Sequence, residues 1–229
     1  MKKQFLTLLC LVLTSAAAIA QNFEGTVLFD FKMEGEMAAQ LEALGKTQYE
    51  FKFKGDNMRM ALKGGMAAMM PMDIIMDNKN GVAYMMNAKS KTAQKIETAN
   101  AEAAAKTDKP KVTKEAETSV IAGYKCQKYK VETTVEGTTM VEYIWACSDL
   151  KVAKPKPGVK TNASQFMREG VEGFPLKIVT QNDMIGTITM LATSVKKESI
   201  SDDMFKVPSD YKVEKFDAEK MMRGLNEGR

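Results

Sequence analysis

The sequence predicts an α+β fold built on antiparallel β-structure. Three observations carry that expectation. Apolar residues recur with period two in several stretches, the spacing of half-buried strands. Short turn sequences such as Gly55-Asp56 and Glu136-Gly137 separate neighbouring stretches, as hairpins require. Strands and helices nowhere alternate regularly, which argues against a parallel sheet with crossover helices.

The first element is an address rather than part of the fold. Lys2 and Lys3 precede an apolar run from Phe5 to Val12, and small residues from Ser15 to Ala20 follow. This is the build of a secretory signal peptide, with Ala18-Ile19-Ala20 as the cleavage site. A bilayer span needs about 20 apolar residues, so the run is too short to be one. Cys10 follows Leu8-Leu9 inside the run, where a lipidation site would have a small residue. The expected mature chain is residues 21–229, a single periplasmic or secreted domain.

Composition removes whole classes of chemistry. There is no histidine, so no side chain titrates near neutrality without help, and imidazole-based catalysis and metal binding are closed. Lys and Arg number 33 against 29 Asp and Glu, and loss of Lys2 and Lys3 with the leader halves the formal excess. That balance does not suit a nucleic-acid partner.

Within the mature chain, Phe23, Val27, Phe29, Phe31 and Met33 fall on one face of a strand. Met37, Leu41 and Leu44 recur at helical spacing, ended by Gly45. A hairpin follows: with Gly55-Asp56 as a two-residue turn, Phe53 faces Met58, Phe51 faces Met60 and Tyr49 faces Leu62. Gly64-Gly65 implies a mobile loop. A second hairpin pairs Met72–Met76 with Val82–Met86 around Asp77–Gly81, and residues 91–96 add a strand. Residues 98–116 are rich in Ala, Lys and Glu without an apolar face, and predict a surface helix joined to a flexible loop inserted in the domain. Tyr124–Thr134 and Thr139–Cys147 form a long hairpin. Residues 161–169 predict a short helix, 175–181 and 185–197 two further strands, and Asp217 onward an amphipathic helix. The total is nine or ten strands.

Two residue types stand out. With Glu136-Gly137 as the turn, Cys126 faces Cys147 at a non-hydrogen-bonded pair, where a disulfide fits. A three-residue loop would shift that register and leave two thiols. Met occurs 19 times, with Met66, Met69, Met70, Met72 and Met76 clustered. Thioethers suit Cu(I), but they also supply adaptable apolar packing. The carboxylate pairs Asp202-Asp203 and Glu97/Glu102 sit in polar contexts, and no glycine loop has phosphate-binding spacing. The expectation is a non-enzymatic protein without a cofactor.

Several stretches together carry a family resemblance. They are Phe23-Glu24-Gly25, residues 121–129 (IAGYKCQKY), Glu142-Tyr143-Ile144-Trp145, Gly173-Phe174-Pro175-Leu176-Lys177, and residues 205–212 (FKVPSDYK). The chain resembles the secreted bacterial family catalogued as domain of unknown function 4412 (DUF4412). That family is similar to the LolA/LolB-like lipoprotein carriers, which implies a half-open antiparallel barrel plugged by short helices around an apolar cavity. Both faces of the 124–147 hairpin carry apolar residues, so both must be covered. The expected cavity lining is Phe29, Phe31, Phe51, Phe53, Met58, Met60, Met66, Met69, Met70 and Trp145. The expected ligand is an acyl chain or lipid moiety, with lipid or a lipidated protein as partner. A structural or interaction protein with a filled core, and a Met-rich copper binder, are the alternatives.

Overall fold

The computed structural model describes residues 22–36, 38–69, 72–97, 109–135, 138–153, 166–182 and 186–216. The expected leader, residues 98–108 of the expected insertion, Met70 and the expected C-terminal helix lie outside these residues.

Period two in the first stretch becomes β1 (Gly25–Glu34), and the helical spacing that follows becomes α1 (Ala38–Ala43). Gly45 follows at φ +89°, the left-handed turn that favours glycine after a helix. The β2 (Thr47–Lys54) and β3 (Asn57–Gly64) hairpin has the expected register, with Phe53 opposite Met58, Phe51 opposite Met60 and Tyr49 opposite Leu62. A chain of hairpins continues through β4 (Asp73–Asp77), β5 (Val82–Asn87) and β6 (Thr92–Glu97). After β7 (Lys111–Ile121), β8 (Tyr124–Val135) and β9 (Thr138–Cys147) pair in the expected register, Val135 opposite Thr138 and Gln127 opposite Ala146. The sheet is completed by β10 (Phe174–Asn182), β11 (Gly186–Lys197) and β12 (Lys212–Lys215).

Four expectations need correction. Gly64-Gly65 is not a mobile loop: Gly65–Met69 forms a one-turn helix, α2. The two glycines are there for close approach, because side chains on them would collide with the Lys46 and Gly45 carbonyls. Residues 111–116 are not helix or loop but the first half of β7. β7 is an edge strand, so it needs no continuous apolar face. Of the expected helix over 161–169, residues 161–165 lie outside the described residues and 166–169 form turn and bend. Finally, β12 was not foreseen: four residues, mostly polar, run parallel to β6 at the opposite edge.

Among the described residues the twelve strands make one open sheet in the order β12-β6-β5-β4-β3-β2-β1-β11-β10-β9-β8-β7, antiparallel throughout except β12 with β6. The sheet curls. β2 and β10 are separated by β1 and β11, three steps or about 14 Å along a flat sheet. Yet the rings of Phe53 and Phe174, from β2 and β10, lie 5.1 Å apart. The inner face of that curl holds the main core, including Val27, Phe29, Phe51, Met60, Ile74, Tyr129, Ile144 and Phe174. A smaller cluster on the opposite face packs Ile75, Met86 and Ala93 under Phe205, Val207 and Tyr211.

Candidate functional site

The inner face gathers most of the aromatic side chains singled out from the sequence. Because β1 and β2 alternate in register, Phe29 and Phe51 point the same way, their rings 5.3 Å apart and edge to face. Phe51 stacks with Phe53 at 6.2 Å, and Phe174 closes the group against Phe29, Phe51 and Phe53. Met58 and Met60 sit opposite Phe53 and Phe51 on β3. Phe29, Phe51, Phe53, Met58 and Met60 are all 3% exposed or less. Phe31 lies nearer the end of the sheet that α1 borders, half-buried, with its ring 6.0 Å from Tyr49. Burial pushes the Tyr49 hydroxyl above its ordinary pKa, so it stays a neutral hydrogen-bond donor.

Other predicted members do not join this group. Met66 is half-buried on α2 and Met69 is 70% exposed there. Trp145 is 7% exposed and belongs to the same buried cluster as Phe51, but alternation sets it on the face of β9 opposite Ile144, and among the described residues no ring contact joins it to the phenylalanines. Its register partners Lys128 and Lys177 lay their ammonium groups 5.2 and 4.2 Å from its ring centroid, and its indole N–H donates to Glu117. Ile144, the next residue back, faces inward beside Tyr129 and Ile178. Cys126 and Cys147 are fully buried and are free thiols in the structure.

The sequence reading missed what covers the inner face. The connection from β9 to β10 returns at Phe166, and residues 166–173 cross the inner side as a strap. The Phe166 ring packs 4.8 Å from Phe51 and 6.5 Å from Tyr49. Two residues on, Arg168 grips Glu142 through both carboxylate oxygens at 2.7 and 2.8 Å, and Thr180 donates to the same carboxylate. Glu142 is 7% exposed and lies on the inner face of β9. A bidentate, charge-assisted pair is the strong form of this contact. Farther along, Gly170 passes against Val112 of β7 and Val171 is buried. Glu142 was visible in the sequence as a carboxylate between Met140 and Ile144 on one face. Its partner, 26 residues away, carried no local signal.

Two small cavities are present, one between β1 and α1 and one against the strap. One, of 150 Å³, is bounded by Phe31, Met33, Ala38, Leu41 and Thr47, with Lys32, Glu42 and Lys46 around it. The other, of 160 Å³, lies at Leu150, Val152, Met167 and Gly173. Both are half-open and partly polar depressions rather than enclosed apolar chambers. Among the described residues no three His, Cys, Asp or Glu side chains converge as a metal site, and no helix is long and apolar enough to cross a membrane.

A family model described as a domain of unknown function (DUF4412) matches residues 31–211. The chain belongs to that family. No curated protein matches it at a significant level.

Proposed function

We propose that this DUF4412 protein is a non-enzymatic exported carrier whose curled sheet is a half-open barrel for an acyl chain or lipid moiety. The observation that supports it is Phe166. A half-buried aromatic ring, presented by a connecting segment, occupies an inner face already lined by Phe51 and Tyr49. Such a ring fills the place of a ligand and is exchangeable for one. The 150 Å³ cavity beside Phe31 is too small for a whole chain, so a chain is accommodated only by displacing the strap. Each buried methylene gains about 0.8 kcal/mol. Twelve to fourteen of them, about 10–11 kcal/mol gross, leave roughly micromolar binding if ordering and displacement cost about 2–3 kcal/mol. The methionines of β3 and β4 suit chains of differing length because thioether side chains repack readily.

A second reading has a specific observation in its favour. Phe29, Phe51, Phe53, Met58 and Met60 are already shielded without any ligand, as in an envelope interaction protein with a filled core. One experiment separates the two. Native mass spectrometry of freshly purified mature protein, followed by thermal scans of delipidated protein with laurate, palmitate and oleate, reports both retained and added ligand. The carrier reading expects bound lipid and a midpoint that climbs with ligand concentration. Absence of both supports the filled core, and retained copper supports the Met-rich metal alternative.

A further inference from the structure

The two free cysteines occupy a particular place. The β8–β9 ladder runs in unbroken register from Val135/Thr138 to Gln127/Ala146, and Cys126 and Cys147 lie one residue beyond its last pair, where the same register would set them opposite each other. Counted from the turn, that position would be a non-hydrogen-bonded pair, the geometry in which a cross-strand disulfide fits. Cys147 also pairs with Phe174 of β10. The connection carrying Phe166 and Arg168 therefore leaves the sheet after Cys147 and rejoins it beside Cys147. Gly173 permits this closure: at φ +94° it presses on the Cys147 carbonyl where a side chain would collide.

We propose that Cys126 and Cys147 form a disulfide staple at the base of the strap, made during folding by exchange with an external disulfide. Each cysteine gives up its S–H hydrogen, the two sulfurs join, and the external disulfide is reduced to two thiols. Attack on a disulfide needs a thiolate. Burial, with Cys147 beside it, pushes the Cys126 thiol up to about 12, and both cysteines are inaccessible once folded. The bond therefore forms before the hairpin is covered, and a protein folded in reductant keeps its thiols. The staple closes a loop of 20 intervening residues and ties β9 to β8 where β9 hands over to the strap. Nothing in this depends on what the inner face binds.

The test is oxidative refolding of the mature chain from denaturant in a mixture of reduced and oxidised glutathione. The expected product has lost two hydrogens by intact mass, shows no alkylatable thiol after denaturation, and yields one peptide linking Cys126 to Cys147. Reducing it should raise the unfolding equilibrium constant on the order of 100-fold and speed amide exchange at Val171–Phe174. The double variant Cys126→Ala/Cys147→Ala should be indifferent to reductant. Two alkylatable thiols, a mixed disulfide with glutathione, or a disulfide-linked dimer would overturn the staple. Unchanged exchange at Val171–Phe174 on reduction would overturn its hold on the strap.

Discussion

Removing the Arg168 guanidinium tests whether the strap is held by its ion pair. In the intact protein Glu142 is 7% exposed; in Arg168→Ala the carboxylate keeps, among the described residues, the Thr180 hydroxyl 3.3 Å away as its partner and loses its charged one. Breaking a buried pair from one side costs about 3–5 kcal/mol, because a charge is left unpaired in a poor solvent. The Arg168 side chain is 25% exposed, so water recovers part of this and about 2–4 kcal/mol is the expected loss. Replacing Glu142 as well, in Glu142→Leu/Arg168→Ala, removes the stranded charge, and Glu142→Leu alone completes the cycle. The double variant should recover most of the loss, giving a coupling energy of about 2 kcal/mol or more in a double-mutant cycle. Urea unfolding followed by far-UV circular dichroism measures all four proteins. If Arg168→Ala costs under about 0.5 kcal/mol, or if the two changes simply add, the strap is not held this way.

Further outcomes follow from the same geometry. Met60→Glu places a carboxylate in a site 1% exposed; it should cost several kcal/mol, read as a lowered urea midpoint. Trp145→Phe loses the indole donor to Glu117 at a ring that makes no ring contact with Phe51 among the described residues. It should cost about 1 kcal/mol and leave acyl-chain binding unchanged, checked by thermal shift. In protein folded with reductant, Cys126 stays protonated well above the pH at which an unfolded thiol ionises, because burial pushes it up to about 12. The unfolded state then binds fewer protons than the folded state above about pH 9, so stability falls as pH rises through that range. Urea midpoints at pH 7 and pH 10 give the sign.

Much of the sheet was legible because its hairpins are specified twice over, by period two and by their turns. Phe51 opposite Met60 and Gln127 opposite Ala146 are consequences of both together. The edges were not legible. A strand with one neighbour need not be apolar, so Lys111–Ile121 reads like a solvated segment, and Lys212–Lys215 is too short to show a pattern. Alternation places Ile144 and Trp145 on opposite faces but does not say which face is inner. That is decided by the curl, which brings Phe174 to Phe53 across three strand spacings. The strap escaped for a related reason. Phe166 meets Phe51, and Arg168 meets Glu142, through contacts that local periodicity does not encode.

The carrier account stands or falls on whether Phe166 occupies the ligand's place. Phe166→Ala removes a ring that an acyl chain would otherwise have to displace, and burying such a side chain is worth about 1.5–3 kcal/mol. For a carrier, part of that cost disappears from the binding equilibrium. Isothermal titration of delipidated Phe166→Ala with palmitate should give a Kd about tenfold lower than that of the unaltered protein, even though the unliganded variant is less stable. An unchanged or weaker Kd, or no heat of binding in either protein, would contradict it.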